Sequence, residues 1–332
     1  MKKFHLILLT AALALLTACT SDSKDTTKKE DVSNSESNAT EKDEKADDVY
    51  SLENDGVDEK ALTEAISQFP TEVPERVITT SVPLTEMLHL LGVTPVGVPT
   101  STNPIPTDFE KIQRVGSPMQ PDLEVLTDLK PDLILGAESL RSTLDKSLEG
   151  IDLKTGYLPT DSLDDLKLSF KALGTYFNKT DEMNTVLSGL LDKENELAAQ
   201  GKGKEMPSVM LMIGASDSFM VMSEGSYLGS LVNKLGADNI ATSVLKVTDT
   251  YSPINMEDVV AADPDIILVL ASGDHGASEE MFKKEVESNT TWTKLSAYKN
   301  DKIQILDYNI FGVTSISNAE QALTQIATYF YE

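Results

Sequence analysis

The sequence has one cysteine, Cys19, and three histidines, His5, His89 and His275, in 332 residues. A single cysteine excludes an intrachain disulfide, and its place near the N-terminus excludes a thiol nucleophile within a folded body. Basic residues are also scarce: Lys and Arg number 28 against 54 Asp and Glu, a formal net charge of −26. A nucleic-acid partner, which needs a basic footprint, is therefore excluded as an expectation, and so is docking on anionic lipid head groups. The nucleophile elbow G-x-S-x-G, the P-loop, the dinucleotide G-x-G-x-x-G and the zinc-protease H-E-x-x-H are all missing. "GKGKE" at 201–205 lacks the phosphate-loop spacing and reads as a helix exit. No enzymatic array is legible, and an extracytoplasmic hydrolase stays only as an alternative of a different class.

What is present begins with "MKKFHLILLTAALALLTAC", residues 1–19. Two lysines, an apolar run and a small-residue site before Cys19 make a secretory signal over 1–18. A cysteine at that point resembles a bacterial lipobox, which implies acylation of Cys19 and a cell-membrane, extracytoplasmic location held only by that lipid. Removing Lys2 and Lys3 with the signal moves the formal charge from −26 to −28. Residues 19–70 are expected to form an acidic, solvated tether, most uniformly polar from 20 to about 55.

The rest divides into halves with a common plan. Leu84, Met87, Leu91 and Gly92 recur as Leu228, Leu231, Leu235 and Gly236 with the same spacing, each an apolar helical stripe closed by glycine. "LEVLTDLKPDLILGA" (123–137) matches "MEDVVAADPDIILVL" (256–270): Glu124 and Glu257 each precede a Pro-Asp pair, after which an apolar run follows. A helix that ends before proline and then a strand buried on both faces is an α/β unit on a mostly parallel sheet. The expected fold is thus α/β, with pseudo-repeated lobes at 71–179 and 204–332 joined by one long rigid helix over 180–203. A ligand would lie between the lobes at the carboxyl ends of the strands.

Two imidazoles remain in that body. His89 shares a helix side with Thr85 and Glu86, away from the apolar stripe, and reads as a solvated histidine. His275 follows a buried strand and precedes Gly276 in "ASGDHG", where a side chain can enter the cleft. Asp274 beside it raises a zinc or manganese receptor, but such sites want more imidazoles than this chain offers. Met119, between Pro118 and Pro121, lies in a loop, unlike Met210, Met212, Met220 and Met222, which fit strands.

With these features together, the chain resembles the substrate-binding lipoproteins of iron-siderophore, cobalamin and haem importers over about residues 70–332. "ERVITTSVPLTEMLHLLGVTPVGVPTS" (75–101) looks like that family's opening strand, helix and strand. More narrowly, "VGSPMQPDLE" (115–124), "EGSYLGSLVNKLGADNI" (224–240), "PDIILVLASGDHGASEEMFKKE" (264–285) and "FGVTSISNAEQA" (311–322) resemble the haem receptors of iron-regulated surface determinant systems. That likeness implies haem b as the carried ligand, with Met119 and His275 on opposite faces of its iron, although "ASGDHG" is a residue or two longer than the corresponding turn. It also implies that Glu124 and Glu257 meet arginines of two ABC permease subunits; a carboxylate favoured by the helix dipole gives the same pattern. Surface proteins that donate haem upstream fit the same picture, and a monomer is expected. The turn at Val82, Pro83 and Leu84 could hold a haem carboxylate on free N–H groups. Tyr227 either packs on the porphyrin or belongs to the core. A ferric-siderophore receptor is the alternative within the family, and three arginines (Arg76, Arg114, Arg141) with few aromatics count against it.

Overall fold

The computed structural model describes residues 50–215, 218–253, 255–271 and 276–331. In the N-terminal half, helix α1 (Glu59–Ser67) precedes strand β1 (Val77–Thr79), helix α2 (Val82–Leu90) and strands β2 (Gly97–Val98) and β3 (Gln113–Arg114). A hairpin of β4 (Gly116–Ser117) and β5 (Gln120–Pro121) leads to α3 (Leu123–Asp128), β6 (Leu133–Ala137), α4 (Arg141–Ser147), β7 (Thr155–Leu158) and α5 (Leu163–Tyr176). The strands β3-β2-β1-β6-β7 form one sheet, parallel throughout.

Helix α6 (Thr180–Gly201) carries the chain to the second sheet; its 22 residues span roughly 33 Å. There follow β8 (Ser208–Ala215), β9 (Ser218–Met222), α7 (Tyr227–Lys234), β10 (Asp238–Asn239), α8 (Ile240–Ser243), β11 (Tyr251–Pro253), α9 (Met256–Ala262) and β12 (Ile266–Ala271). The chain ends with α10 (Ala277–Ser288), α11 (Ser296–Lys299), β13 (Ile303–Leu306), α12 (Tyr308–Phe311) and α13 (Ala319–Tyr331). In the order β11-β9-β8-β12-β13, the pairs β8–β12 and β12–β13 are parallel, while β8–β9 and β9–β11 are antiparallel. The architecture is mixed α/β with parallel strands at the centre of each sheet. No described helix is long and apolar enough to cross a membrane.

The Pro-Asp motifs register both sheets in the same way. Lys130 (φ 46°) and Asp263 (φ 43°) each leave the preceding helix in the left-handed region, and a proline then prevents its continuation. Asp132 N–H donates to Arg76 O at 2.9 Å, and its carboxylate accepts from Glu75 and Arg76 N–H at 3.0 Å each. Asp265 N–H donates to Ser208 O at 3.0 Å, and its carboxylate accepts from Ser208 N–H at 2.9 Å. In each lobe the aspartate thus ties the start of one central strand to the start of its parallel neighbour.

The apolar stripes of the two halves meet in one core. Leu84, Met87, Leu88 and Leu91 of the first half, Met183, Leu187, Leu190 and Leu197 of α6, and Leu228, Leu231 and Leu323 of the second belong to a single buried cluster. The expected lobes are therefore coupled through packed helices α5, α6, α7 and α13 as well as through the chain itself.

The tether expected over 19–70 does not extend to residue 70. Asp58 caps α1 by accepting from Ala61 N–H at 2.8 Å, and Leu62, Ala65 and Phe69 are buried in that cluster. Before α1, Tyr50 is bound to α6 by two hydrogen bonds with Asn195, 2.9 Å from its N–H and 2.7 Å to its carbonyl. The ammonium groups of Lys167 and Lys234 stand 5.1 and 4.6 Å from its ring centroid. Lys167, fully buried, donates to Asp55 O and Glu194 Oε2, each at 3.3 Å, and forms an ion pair with Asp164 at 3.1 Å. Burial raises the Glu194 carboxyl above its ordinary value despite Lys167 and Lys234. Burial works to lower Lys234, but Glu194 and Asp164 outweigh it and raise that ammonium. Asp55, also buried, pairs with Lys171 at 2.7 Å. Its charge and its neighbours made Asp55 look like tether, yet it is buried against a partner.

Candidate functional site

A cavity of about 960 Å³ opens between the two halves at the carboxyl ends of their strands, at the upper end of small-molecule pockets. On one wall, α2 presents Val82, Glu86 and His89, at the i, i+4 and i+7 positions of one helical face. Thr102, Asn103, Pro104, Pro106 and Thr107, after β2, continue that wall. The facing wall is built from Ala271 at the end of β12, Gly276 at the start of α10, Ile305 and Leu306 at the end of β13 with Asp307 after it, and Ser315, Ser317 and Asn318 before α13.

Glu86 spans the two halves. Its Oε1 accepts from the Ser315 hydroxyl at 2.7 Å and from Ser317 N–H at 3.0 Å. Beneath it the Tyr227 hydroxyl donates to Ser315 O at 3.0 Å. Burial, and then the Glu86 charge, raise that hydroxyl above its ordinary value. His89 Nε2 lies 3.0 Å from Asp108 Oδ2, and its ring meets Phe109 edge-on at 5.3 Å. The expected solvated histidine is thus a partnered residue of the cavity wall. Thr85, read on that same solvent side, is buried and hydrogen-bonded to Thr79 and Ser81. Glu86 did not stand out in the sequence and His89 was read as facing solvent, because a helix face turned to an interlobe cavity is as polar as one turned to water.

The residues singled out from the sequence fall in different places. Val82 lines the cavity, Pro83 is half-buried beside it and Leu84 is a fully buried core residue. The cap Ser81 makes no side-chain bond at this helix start, so the first-turn N–H groups of Val82 and Leu84 are the donors there; Pro83 has none. Tyr227 is 5 % exposed in the shared core and is absent from the cavity lining, so of its two readings the core one describes its position.

Met119 occupies the two-residue tip of the β4–β5 hairpin, 64 % exposed. Gly116 opens this hairpin at φ 88°, and a Cβ there would meet Asp122 N at 2.6 Å and Gln120 O at 2.8 Å. Only glycine fits that position. His275 and Asp274 lie outside the described residues, as does Cys19; Ala271 and Gly276 on either side of the turn both line the cavity. Among the described residues no cluster of three or more His, Cys, Asp or Glu side chains could hold a metal ion.

Glu124 and Glu257 are both exposed second residues of their helices. Their N–H groups donate to the cap side chains of Asp122 and Asn255, at 3.1 and 3.0 Å. The two lobes therefore present a carboxylate in the same local frame.

Two α/β halves sharing a helical core, with one large cavity at their strand ends, define a bilobal ligand-binding protein. Residues 77–309 match the periplasmic binding protein family, and the chain belongs to that family. It is a transport binding protein, not an enzyme. Among similar proteins, the high-affinity heme uptake system protein IsdE of Staphylococcus aureus strain MRSA252 is 34 % identical over 265 residues, covering 77 % of this chain and 87 % of that one. An ABC transporter substrate-binding protein from Listeria monocytogenes superposes with a TM-score of 0.71 at 31 % identity, over 78 % of this chain and 99 % of its own. The crystal structure of S. aureus IsdE complexed with heme gives 0.70 at 30 % identity, over 77 % and 99 %.

Proposed function

We propose that this protein is an extracytoplasmic haem receptor, anchored by an acylated Cys19, that takes haem from surface donors as a monomer and delivers it to an ABC permease. The observation that carries the reading is the cavity wall: the residues flanking the His275 turn line it, in a chain 34 % identical to a haem uptake protein. His275 from one lobe and the Met119 thioether from the other are the proposed axial ligands. Met119 is not among the cavity-lining residues, but its side chain is largely exposed at the hairpin tip and free to turn toward a ligand. An imidazole and a thioether together close both axial positions, which suits carriage rather than oxygen chemistry. Val82, Leu90, Ile305 and Val313 supply apolar surface for a porphyrin. The Val82 and Leu84 N–H groups are the proposed partners of one haem carboxylate, and Glu124 and Glu257 of permease arginines.

The arginines disfavour the siderophore alternative. Arg76 is spent on Leu129 O at 2.7 Å and Arg141 on Glu138 at 2.7 Å, while Arg114 is absent from the lining.

Haemin titrated into the chain lacking residues 1–19 should give a saturable one-to-one, low-spin absorption spectrum. Met119→Ala should convert it to high spin, and His275→Ala should weaken binding by about tenfold or more, the scale of one lost strong ligand. No saturable binding, or identical spectra in both variants, would overturn the reading.

A further inference from the structure

The charged side chains that line the cavity, among the described residues, are Glu86, Glu279 and Asp307, with His89 beside its carboxylate partner Asp108; no lysine or arginine is among them. Glu279 is paired with Lys283, so Glu86 and Asp307 are the lining carboxylates without a lysine or arginine partner among the described ion pairs, and low-dielectric walls concentrate their field inside the cleft. Glu86 is the member whose place is fixed: the Ser315 hydroxyl and Ser317 N–H hold its carboxylate where the two halves meet. It cannot swing out to solvent without breaking that bridge.

The favourable anion donors on this wall are the N–H groups at the start of α2, and Val82 lies one turn from Glu86 on the same face, about 6 Å along the axis. A ligand carboxylate seated at that helix end therefore meets the Glu86 charge at close range. From this we infer that Glu86 is a specificity-determining residue: it makes the cavity select iron complexes by charge, favouring a neutral or cationic one over an anionic one of the same shape. A haem carboxylate held by the Val82 and Leu84 N–H groups is then bound less tightly than its uncharged ester. The inference rests on the haem reading for the porphyrin but not for the sign of the selection.

The test is an absorption titration of the chain lacking residues 1–19 with two ferric porphyrins, haemin and its dimethyl ester, in the same detergent at low and high salt. The unaltered protein should bind the ester about tenfold more tightly than haemin, the scale expected for one unscreened like charge at this distance. Glu86→Gln keeps an oxygen that accepts from Ser315 and Ser317 but removes the charge, so the gap should narrow to about threefold or less, as it should in 1 M salt. Equal binding of the two porphyrins by the unaltered protein, or a gap unchanged in Glu86→Gln, overturns the inference. If neither porphyrin binds, the haem reading fails and the charge selection is read from a neutral ferric hydroxamate against anionic ferric citrate. Tighter binding of the hydroxamate, with the gap narrowed by Glu86→Gln, supports the inference; tighter binding of citrate, or no effect of the variant, overturns it.

Discussion

The N-terminal lobe extends its sheet with parallel strands β2 and β3 and then projects the Met119 hairpin; the C-terminal lobe extends its own with the antiparallel strands β9 and β11. Their centres are alike to the level of single hydrogen bonds, as Asp132 and Asp265 show. Their glycine-closed helices are alike too: Gly92 (φ 65°) and Gly236 (φ 81°) follow α2 and α7 at the same spacing. The likeness thus covers what builds a sheet and presents one carboxylate per lobe, and the difference lies at the sheet edges. A common sheet centre can be kept while its edges diverge, because the two make few demands on each other.

If Glu124 and Glu257 are equivalent docking groups, reversing both to Lys should abolish ligand uptake by cells while leaving ligand binding to the isolated protein intact. Reversal of either alone should be intermediate and similar in the two lobes; an effect confined to one lobe breaks the equivalence.

A smaller effect separates the helices. At the position of α7 that matches the buried Thr85 of α2 stands Gly229, where a Cβ would lie 2.1 Å from Ser223 O. Gly229→Ala should cost about 3 kcal/mol in urea unfolding, from overpacking against backbone. The reciprocal Thr85→Gly should cost about 2 kcal/mol, from the hydroxyl pair with Thr79 and from glycine's freedom within a helix. A negligible cost for Gly229→Ala would mean that the loop at Ser223 yields to the added methyl.

The smallest expected effect sharpens the likeness. Asp132→Ala and Asp265→Ala each remove an exposed carboxylate from two strand-start donors, N–H groups in one lobe and an N–H with the Ser208 hydroxyl in the other. Each should cost about 1 kcal/mol, and the two values should agree within about 0.5 kcal/mol.

Much of this was legible beforehand because it is local. Glycine after an apolar stripe and Pro-Asp before an apolar run act within a few residues, so α2, α7, β6 and β12 can be read from spacing alone. The rest depends on partners distant in the chain. Leu62, Ala65 and Phe69 lie among acids and lysines that resemble a tether until α5 and α6 are placed beside them. Helix α2 is covered on several sides, so its polar face is split between a buried hydroxyl pair at Thr85 and the cavity groups Glu86 and His89. Periodicity has one polar side to offer and cannot divide it. Tyr227 stood near the cleft in sequence, but only the Ser315 carbonyl reveals that its hydroxyl turns inward.

The seat of Tyr50 has a mechanical consequence. Two backbone hydrogen bonds to Asn195 and two ammonium groups over the ring make the segment before α1 a clevis on α6. A pull along the preceding chain is delivered to the helix that both lobes share, and neither lobe takes the load alone. A force on the chain before Tyr50 then turns the body as one piece and leaves the jaws of the cleft without a lever.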